Sequence, residues 1–132
     1  MWPFRRSSSQ SPLGPAGEKL ARQFLKGAGL KILAENYRCP AGEADLIALD
    51  PSTAGTVGAE TIAVVEVKTR CSDRYTDPES AVDSRKRLRL RKVADYYLQA
   101  HRGGDFNVRF DIVSIGLRDG QEPQIKHIPG AF

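Results

Sequence analysis

The sequence predicts an α/β (α+β) domain with a central mixed β-sheet flanked by α-helices. Two segments, residues 14–29 and 79–101, space their apolar residues as amphipathic helices do. Other segments are rich in β-branched residues and alternate with the two-residue period of strands. Their order is a helix, three strands, a helix, and one or two strands, which predicts helices packed on a mixed sheet.

Length and composition indicate one ordinary domain. The 132 residues suit a single core, and the net charge of +4 is mildly basic. Residues 1–13 are rich in Ser, Pro and Arg and lack periodicity, so we expect a flexible tail before a domain over residues 14–132.

Two function classes are not supported by the sequence. Cys39 and Cys71 are isolated, so no zinc or haem-attachment motif is present, and we expect two free thiols in a reducing cytosol. No apolar stretch is long enough for a signal peptide or a membrane span. We therefore expect a cytoplasmic protein without a membrane partner.

The first helix is predicted to begin at Gly14-Pro15 and to end at Ala28-Gly29, where glycine can cap it. Glu18 lies at the edge of its apolar stripe, and two interpretations remain open: a solvated first-turn acid favoured by the helix dipole, or an acid that leans over the sheet. The stripe contains Gly17, Leu20, Ala21, Phe24, Leu25 and Ala28.

Three strands are predicted to follow. Leu30–Tyr37 and Glu43–Asp50 are joined by a turn at Cys39–Gly42, and a loop over Pro51–Glu60 leads to Thr61–Arg70. Consecutive strands connected in this way are expected to be adjacent, and the second and third to be antiparallel.

A long helix is predicted over Glu79–His101, followed by a strand over Val108–Ile115 and a short edge strand over Pro123–Ile128. The core stripe of this helix is predicted to be Val82, Leu90, Val93, Ala94 and Tyr97, with Leu98 beside it.

Charged residues interrupt two of the apolar strands. Alternation places Glu66 and Lys68 on the face of Ile62 and Val64, and it places Asp45 on the face of Glu43 and Ile47, opposite Ala44, Leu46 and Ala48. An unpaired buried charge costs several kcal/mol, so these groups should be paired, bound to metal or facing a cleft. A Glu66–Lys68 ion pair at a strand end is the simplest interpretation.

Asp45 and Glu66 offer a more specific interpretation, because adjacent strands can bring them to one ion. Two carboxylates suit a hard divalent cation, Mg²⁺ or Mn²⁺, that keeps waters for a phosphate and a nucleophile. Lys68 can then hold or activate water and stabilise developing charge.

A cluster of cations on the long helix predicts a nucleic-acid partner, since such clusters neutralise phosphates. Lys86 is on the inward stripe, where it can reach the site or extend its stem to water. A merely solvated basic face is the alternative. The predicted contacts to DNA, duplex or branched, are Arg70, Arg85, Lys86, Arg87, Arg89, Arg91 and Lys92.

Several motifs together resemble the YraN family of bacterial endonuclease-like proteins: Gly17-Glu18, Gly42–Ala48, Val64–Arg70, Lys86, Arg109–Asp111, His127-Ile128 and Ala131-Phe132. That family is similar to the PD-(D/E)XK nuclease superfamily, especially archaeal-type Holliday junction resolvases, with a restriction-endonuclease-like fold. The resemblance covers Gly14 to Phe132. It implies that Asp45, Glu66 and the Val67 carbonyl bind metal, that Lys68 is catalytic, and that Glu18 is an accessory acid.

The leading hypothesis is a Mg²⁺- or Mn²⁺-dependent DNA endonuclease, with branched DNA as a candidate substrate and a homodimer as a candidate assembly. Two alternatives remain open: a nucleic-acid-binding module that keeps the fold without turnover, and a protein–protein adaptor that uses the basic helix and the tail.

Overall fold

The structure, a computed structural model, describes residues 14–70, 83–101 and 106–132. Helix α1 covers Gly14–Gly27 and α3 covers Ser84–His101, while Pro51–Thr53 form one 3₁₀ turn and Ala54–Val57 form the short helix α2. The strands are β1 (Lys31–Cys39), β2 (Gly42–Asp50), β3 (Thr61–Arg70), β4 (Asn107–Gly116) and β5 (Gln124–Ile128).

The five strands form one mixed sheet in the order β1-β2-β3-β4-β5. Strands β1, β2 and β3 are antiparallel neighbours, β3 and β4 are parallel, and β5 returns antiparallel to β4. Parallel strands need a long connection, and α3 lies in the segment that links β3 to β4. The predicted α+β class with a mixed sheet is confirmed, and it is compatible with a restriction-endonuclease-like fold.

The sheet separates two hydrophobic cores. One face packs Ile62, Val64 and Ile112 against α3, and we call this the α3-side core. The other packs Val65, Val67, Val113 and Ile115 against α1, and we call it the α1-side core. The β3 residues alternate between the two cores as predicted, because successive side chains on a strand point to opposite faces.

Most predicted elements are present, with two corrections. Only part of the predicted α1 stripe is buried: Ala21 and Leu25 are fully buried, whereas Phe24 and Ala28 are exposed and Glu18 is buried. Phe24 and Ala28, which belong to the predicted stripe, therefore lie outside the core.

The second correction concerns the start of α3. It begins at Ser84 after the non-helical Asp83, whose carboxylate accepts the Lys86 N–H at 2.9 Å, so Asp83 caps the helix. The helix was predicted to begin at Glu79, but residues 79–82 lie outside the described residues. Cys71 and the predicted tail over residues 1–13 lie outside them as well.

Two further expectations from the sequence concern the cysteines and a membrane span, and the structure addresses each for the described residues. Cys39 is a buried free thiol, as predicted. Among the residues described, no helix is long and apolar enough to cross a membrane.

A buried charge network ties β4 to β2, β5 and the C-terminal turn. The fully buried Asp111 accepts two bonds from Arg109, at 2.8 and 2.9 Å, and one from the Gly130 N–H at 3.1 Å, and its carboxylate lies 2.9 Å from His127 Nε2. Arg109 also donates to Asp50 at 2.9 Å. Burial alone would raise the pKa of Asp111, but hydrogen bonds from His127 and Arg109 hold it below its ordinary value.

We expect Asp111→Ala to lower the free energy of unfolding by about 3 kcal/mol, because it leaves Arg109 without its main partner in a partly buried site. Urea denaturation measures this change. The pKa of Asp111 is lower in the folded state than in the unfolded state, so the fold favours the ionised carboxylate. The difference in free energy of unfolding between wild type and Asp111→Ala should therefore be full above the unfolded-state pKa of about 3.9 and should shrink as pH falls below it, through the folded-state pKa. The exposed Asp95→Ala is the control, expected to change stability by less than about 0.5 kcal/mol; an equal loss in both variants would contradict the assignment.

Candidate active site

The candidate site lies where the sheet forks. The pairing of β2 with β3 ends at Leu46 opposite Val65, although β2 stays paired with β1 as far as Gly42 and β3 with β4 as far as Arg70. Beyond that last rung, the Val67 N–H donates to the Asp45 carboxylate at 2.8 Å. A side chain therefore takes the place of a backbone rung at the fork.

The fork also breaks the predicted alternation of β2. Ala44 was expected on the face of Leu46 and Ala48, but it packs in the α3-side core together with Ile47. Residues three positions apart lie on opposite faces of a regular strand, so the regular pleat is interrupted between them. This prediction for Ala44 was wrong because sequence alternation assumes an unbroken strand.

Asp45 and Glu66 are brought together, as predicted, from two strands. Both are buried, at 4% and 6% exposure, and they are close enough for their charges to interact. Burial and the charge of Glu66 raise the pKa of Asp45 well above its ordinary value, with a smaller contribution from Glu18, while the Val67 N–H acts in the opposite direction. Asp45 therefore favours its protonated form more than an ordinary aspartate does.

Glu18 joins this acidic pair because α1 lies very close to β3. Gly17 makes that approach possible, since a Cβ at this position would overlap the Thr69 side chain. Glu18 is only 5% exposed, so the interpretation as a solvated first-turn acid was wrong. The alternative, an acid leaning over the sheet, is the one that agrees with its position.

Two lysines balance the acids. Lys86 reaches inward from α3, with its Nζ 3.1 Å from Glu66 Oε2, so the interpretation of a stem extending to water was wrong. Lys68 lies near enough to Lys86 for the two like charges to interact. Burial lowers the pKa of Lys68 and the Lys86 charge lowers it further, while Glu66 and Asp45 oppose the shift.

The donor set fits a hard divalent cation held by few protein ligands. Three carboxyl groups, those of Glu18, Asp45 and Glu66, face two ammonium groups, which leaves an excess of one negative charge when all are ionised. Within the described residues, no group of three His, Cys, Asp or Glu side chains has metal-binding geometry. The site offers the carboxyl oxygens of Asp45 and Glu66, the hard ligand type that Mg²⁺ or Mn²⁺ binds while retaining waters.

The predicted nucleic-acid contacts fall into different environments. Arg87 lies over the Phe132 ring at 5.2 Å and Arg91 over Phe110 at 5.7 Å, so both stems pack beside the C-terminus. Arg85, Arg89 and Lys92 are exposed, and Lys86 is inside the acidic cluster.

Two residues beside the cluster were not assigned from the sequence. Ser114 pairs with Lys68, and Lys126 of β5 pairs with Ser114, so the three form one row across the sheet. Alternation already put Ser114 on the face of Phe110. It could not supply the strand order that brings Lys126 next to it.

This arrangement can bind a cation with a carboxyl pair and hold a polarised water near a lysine. The buried position of the acids strengthens their attraction for a cation, because the local dielectric is lower than that of water.

Comparisons with known proteins identify relatives along almost the whole chain. Residues 17–115 match the sequence profile of the uncharacterised protein family UPF0102, a range that contains Glu18, Asp45, Glu66 and both lysines. The UPF0102 protein of Nocardia farcinica is 41% identical over 127 residues, which are 96% of this chain and 94% of the relative. That of Geobacter metallireducens is 44% identical over 120 residues, 91% of each chain.

We expect Asp45→Asn to become more stable than wild type as pH rises, when divalent metal is removed with a chelator. Asp45 favours its protonated form in the fold, so its contribution is largest below the unfolded pKa of about 3.9 and declines as pH rises through the higher folded value. Asparagine does not ionise, so the stability of Asp45→Asn does not decline in this way. Its free energy of unfolding should exceed that of wild type by a value on the order of 1 kcal/mol near neutral pH. Urea denaturation across this pH range, with Asp95→Asn as control, checks it; a difference independent of pH would refute the acid pair.

We expect Gly17→Ala to destabilise the protein by about 1–3 kcal/mol, since the new methyl group must push α1 away from Thr69. Thr69→Ala should restore part of the loss in the double variant. Gly27→Ala in the same helix is the matched control, because nothing lies within 4 Å of its added Cβ, and it should be neutral or stabilising. Equal losses at Gly17 and Gly27 would show that helix contact is not the cause.

Proposed function

This chain belongs to the uncharacterised protein family UPF0102, and we propose that it is a divalent-metal-dependent DNA endonuclease of the PD-(D/E)XK type. The proposal adds an activity to a family description that states none. It depends on the chain's own residues and on the resemblance of its motifs to that superfamily.

The observation that carries the proposal is the carboxyl pair at the fork. Asp45 and Glu66 come from two strands that have separated, both are buried, and two lysines lie beside them. A structural ion pair would need one acid and one base. Here a second acid and a second base are added, at the cost of like-charge repulsion, an arrangement more typical of functional sites than of structural ones.

Asp45, Glu66 and the Val67 carbonyl would hold the cation, Mg²⁺ or Mn²⁺. When bound, it would neutralise charge on the phosphoryl oxygens and make a nearby water more acidic. Asp45 is oriented for this role by the Val67 N–H, which fixes one carboxylate oxygen at 2.8 Å.

Lys68 would position the attacking water and accept or share its proton, because a lysine with a lowered pKa gives up a proton more easily than a solvated one. Lys86 would hold Glu66 through their 3.1 Å contact and keep positive charge beside Lys68. Glu18 would act as an accessory acid, adding negative charge that favours cation binding.

DNA would approach across the exposed cations Arg85, Arg89 and Lys92 of α3. Arg87 and Arg91, in contrast, lie over aromatic rings. Such contacts to phosphates position a substrate without reading its sequence. A cytoplasmic location, which the sequence leads us to expect, and a homodimer as a candidate assembly remain part of the proposal.

We expect wild type to cut duplex, single-stranded or junction DNA with Mg²⁺ or Mn²⁺, and to lose the activity when a chelator is added. Glu66→Ala, Asp45→Asn and Lys68→Met should each lower the cleavage rate at least about 100-fold, because each removes a cation ligand or the water-positioning group. Gel assays on labelled substrates measure the rates.

Asp95→Asn, on the exposed face of α3, is the control and should cut like wild type. Absence of cleavage for every substrate and both metals would refute the enzyme. Salt-dependent DNA binding would then indicate a nucleic-acid-binding module, and absence of binding at low salt would indicate an adaptor.

A further inference from the structure

A cavity of about 280 Å³ lies beside the site, at the end of β3, β4 and β5. Its lining includes Arg70 from β3, Gly116 from β4 and Gln124 from β5, which form one rung of the sheet. The site residue Lys68 is two positions before Arg70, in the row with Ser114 and Lys126.

This position relates the cavity to a substrate in the site. Residues two apart in a strand are about 6.6 Å apart and point to the same face. That step is on the scale of the distance between neighbouring phosphates in an extended strand. A phosphate beside Lys68 would therefore have its adjoining nucleotide at the cavity.

The charges of the lining favour a phosphate-bearing ligand. Arg70, Arg118 and Lys126 contribute three cations against one carboxylate, Glu122. Within the part of the chain that the structure describes, the buried Nε of Arg70 has no hydrogen-bond partner. An unpartnered buried donor is costly, and the Arg70 side chain would have to shift for a ligand oxygen in the cavity to reach it, so the net positive charge of the lining is the stronger argument for a phosphate-bearing ligand.

The remaining lining suits a base. Gln121 and Gln124 each carry an amide donor and acceptor, the groups that hydrogen-bond to base edges, and Leu117 and Ile125 provide apolar wall. The volume is just below the range of about 300–1,000 Å³ typical of small-molecule pockets, so one nucleotide is the largest unit that fits. A base enters such a pocket only when it is unpaired from its duplex.

We propose that this pocket holds one unpaired nucleotide next to the phosphate in the site, and that the substrate is therefore nucleic acid with a single-stranded flap or branch rather than continuous duplex. Which bond is cut rests on the proposed function. Binding of an unpaired nucleotide in the pocket does not, because it needs no cleavage.

Gly116→Val tests the pocket without changing any charge. A Cβ at Gly116 meets only Gln124, at an ordinary 3.8 Å, so a β-branched residue fits the strand and fills the floor of the cavity. Binding is measured by fluorescence anisotropy in Ca²⁺ without Mg²⁺, using a continuous duplex and the same duplex with a short flap. We expect about tenfold weaker binding of the flap DNA and unchanged binding of the duplex.

An abasic flap makes the test specific for the nucleotide. Removing the base next to the junction should weaken wild-type binding about tenfold and should have no further effect in Gly116→Val, because both changes remove the same contact. Three results would each overturn the proposal: Gly116→Val weakens binding of duplex and flap DNA equally, the effects of Gly116→Val and of the abasic flap add, or neither change weakens flap binding. Matching urea midpoints of variant and wild type exclude misfolding.

A second variant keeps the test independent of how Gly116→Val folds. Lys126→Gln should weaken flap binding and reduce its salt dependence by about one phosphate contact. Lys31 is an exposed cation on β1, at the far edge of the sheet, so Lys31→Gln should change neither flap binding nor its salt dependence. Equal effects of the two substitutions would overturn the pocket assignment. Because no cleavage is measured, a chain that binds as expected but cuts nothing would refute only the proposed function.

Discussion

The hydrogen bond from the Val67 N–H to the Asp45 carboxylate is the contact on which the candidate site depends. It occupies the place where β2 and β3 stop pairing, so a backbone donor that would lose its partner is satisfied by a side chain. The same bond fixes the Asp45 carboxylate beside Glu66. Separation of the strands and alignment of the acids therefore depend on the same hydrogen bond, which needs an acceptor oxygen on the side chain of residue 45.

Around the fork, stability and function impose opposite demands. The Asp111 carboxylate is satisfied by Arg109, His127 and a backbone donor, and such a network holds strands in place. The Asp45 cluster combines three acids with two bases and raises the pKa of one acid. A sheet that contains a repulsive cluster needs a well-connected remainder, and the Asp111 network supplies it from β4 to β2 and β5.

The two helices bring different parts to the cluster because they lie on opposite faces of the sheet. Helix α3 contributes Lys86, together with the basic surface along which DNA would approach. Helix α1 contributes Glu18, and its close contact with β3 requires that residue 17 have no side chain. The proposed nucleotide pocket would extend the candidate site along β3 towards Arg70. The proposed metal site and the proposed pocket would then be neighbours along β3.

The sequence by itself determined the main helices and strands and their order, and it showed that Asp45, Glu66 and Lys68 interrupt apolar strands, because apolar periodicity and a charge inside an apolar strand are local signals. The 3₁₀ turn and α2 within the predicted loop over Pro51–Glu60 were not predicted. Tertiary structure alone decided the rest. Alternation could not place Ala44, since the fork interrupts the strand, and the apolar stripe of α1 could not show that Glu18 is buried and Phe24 exposed. The ion pair of Lys86 with Glu66 and the row from Lys68 to Lys126 join segments distant in sequence, and only strand order and helix packing bring them together.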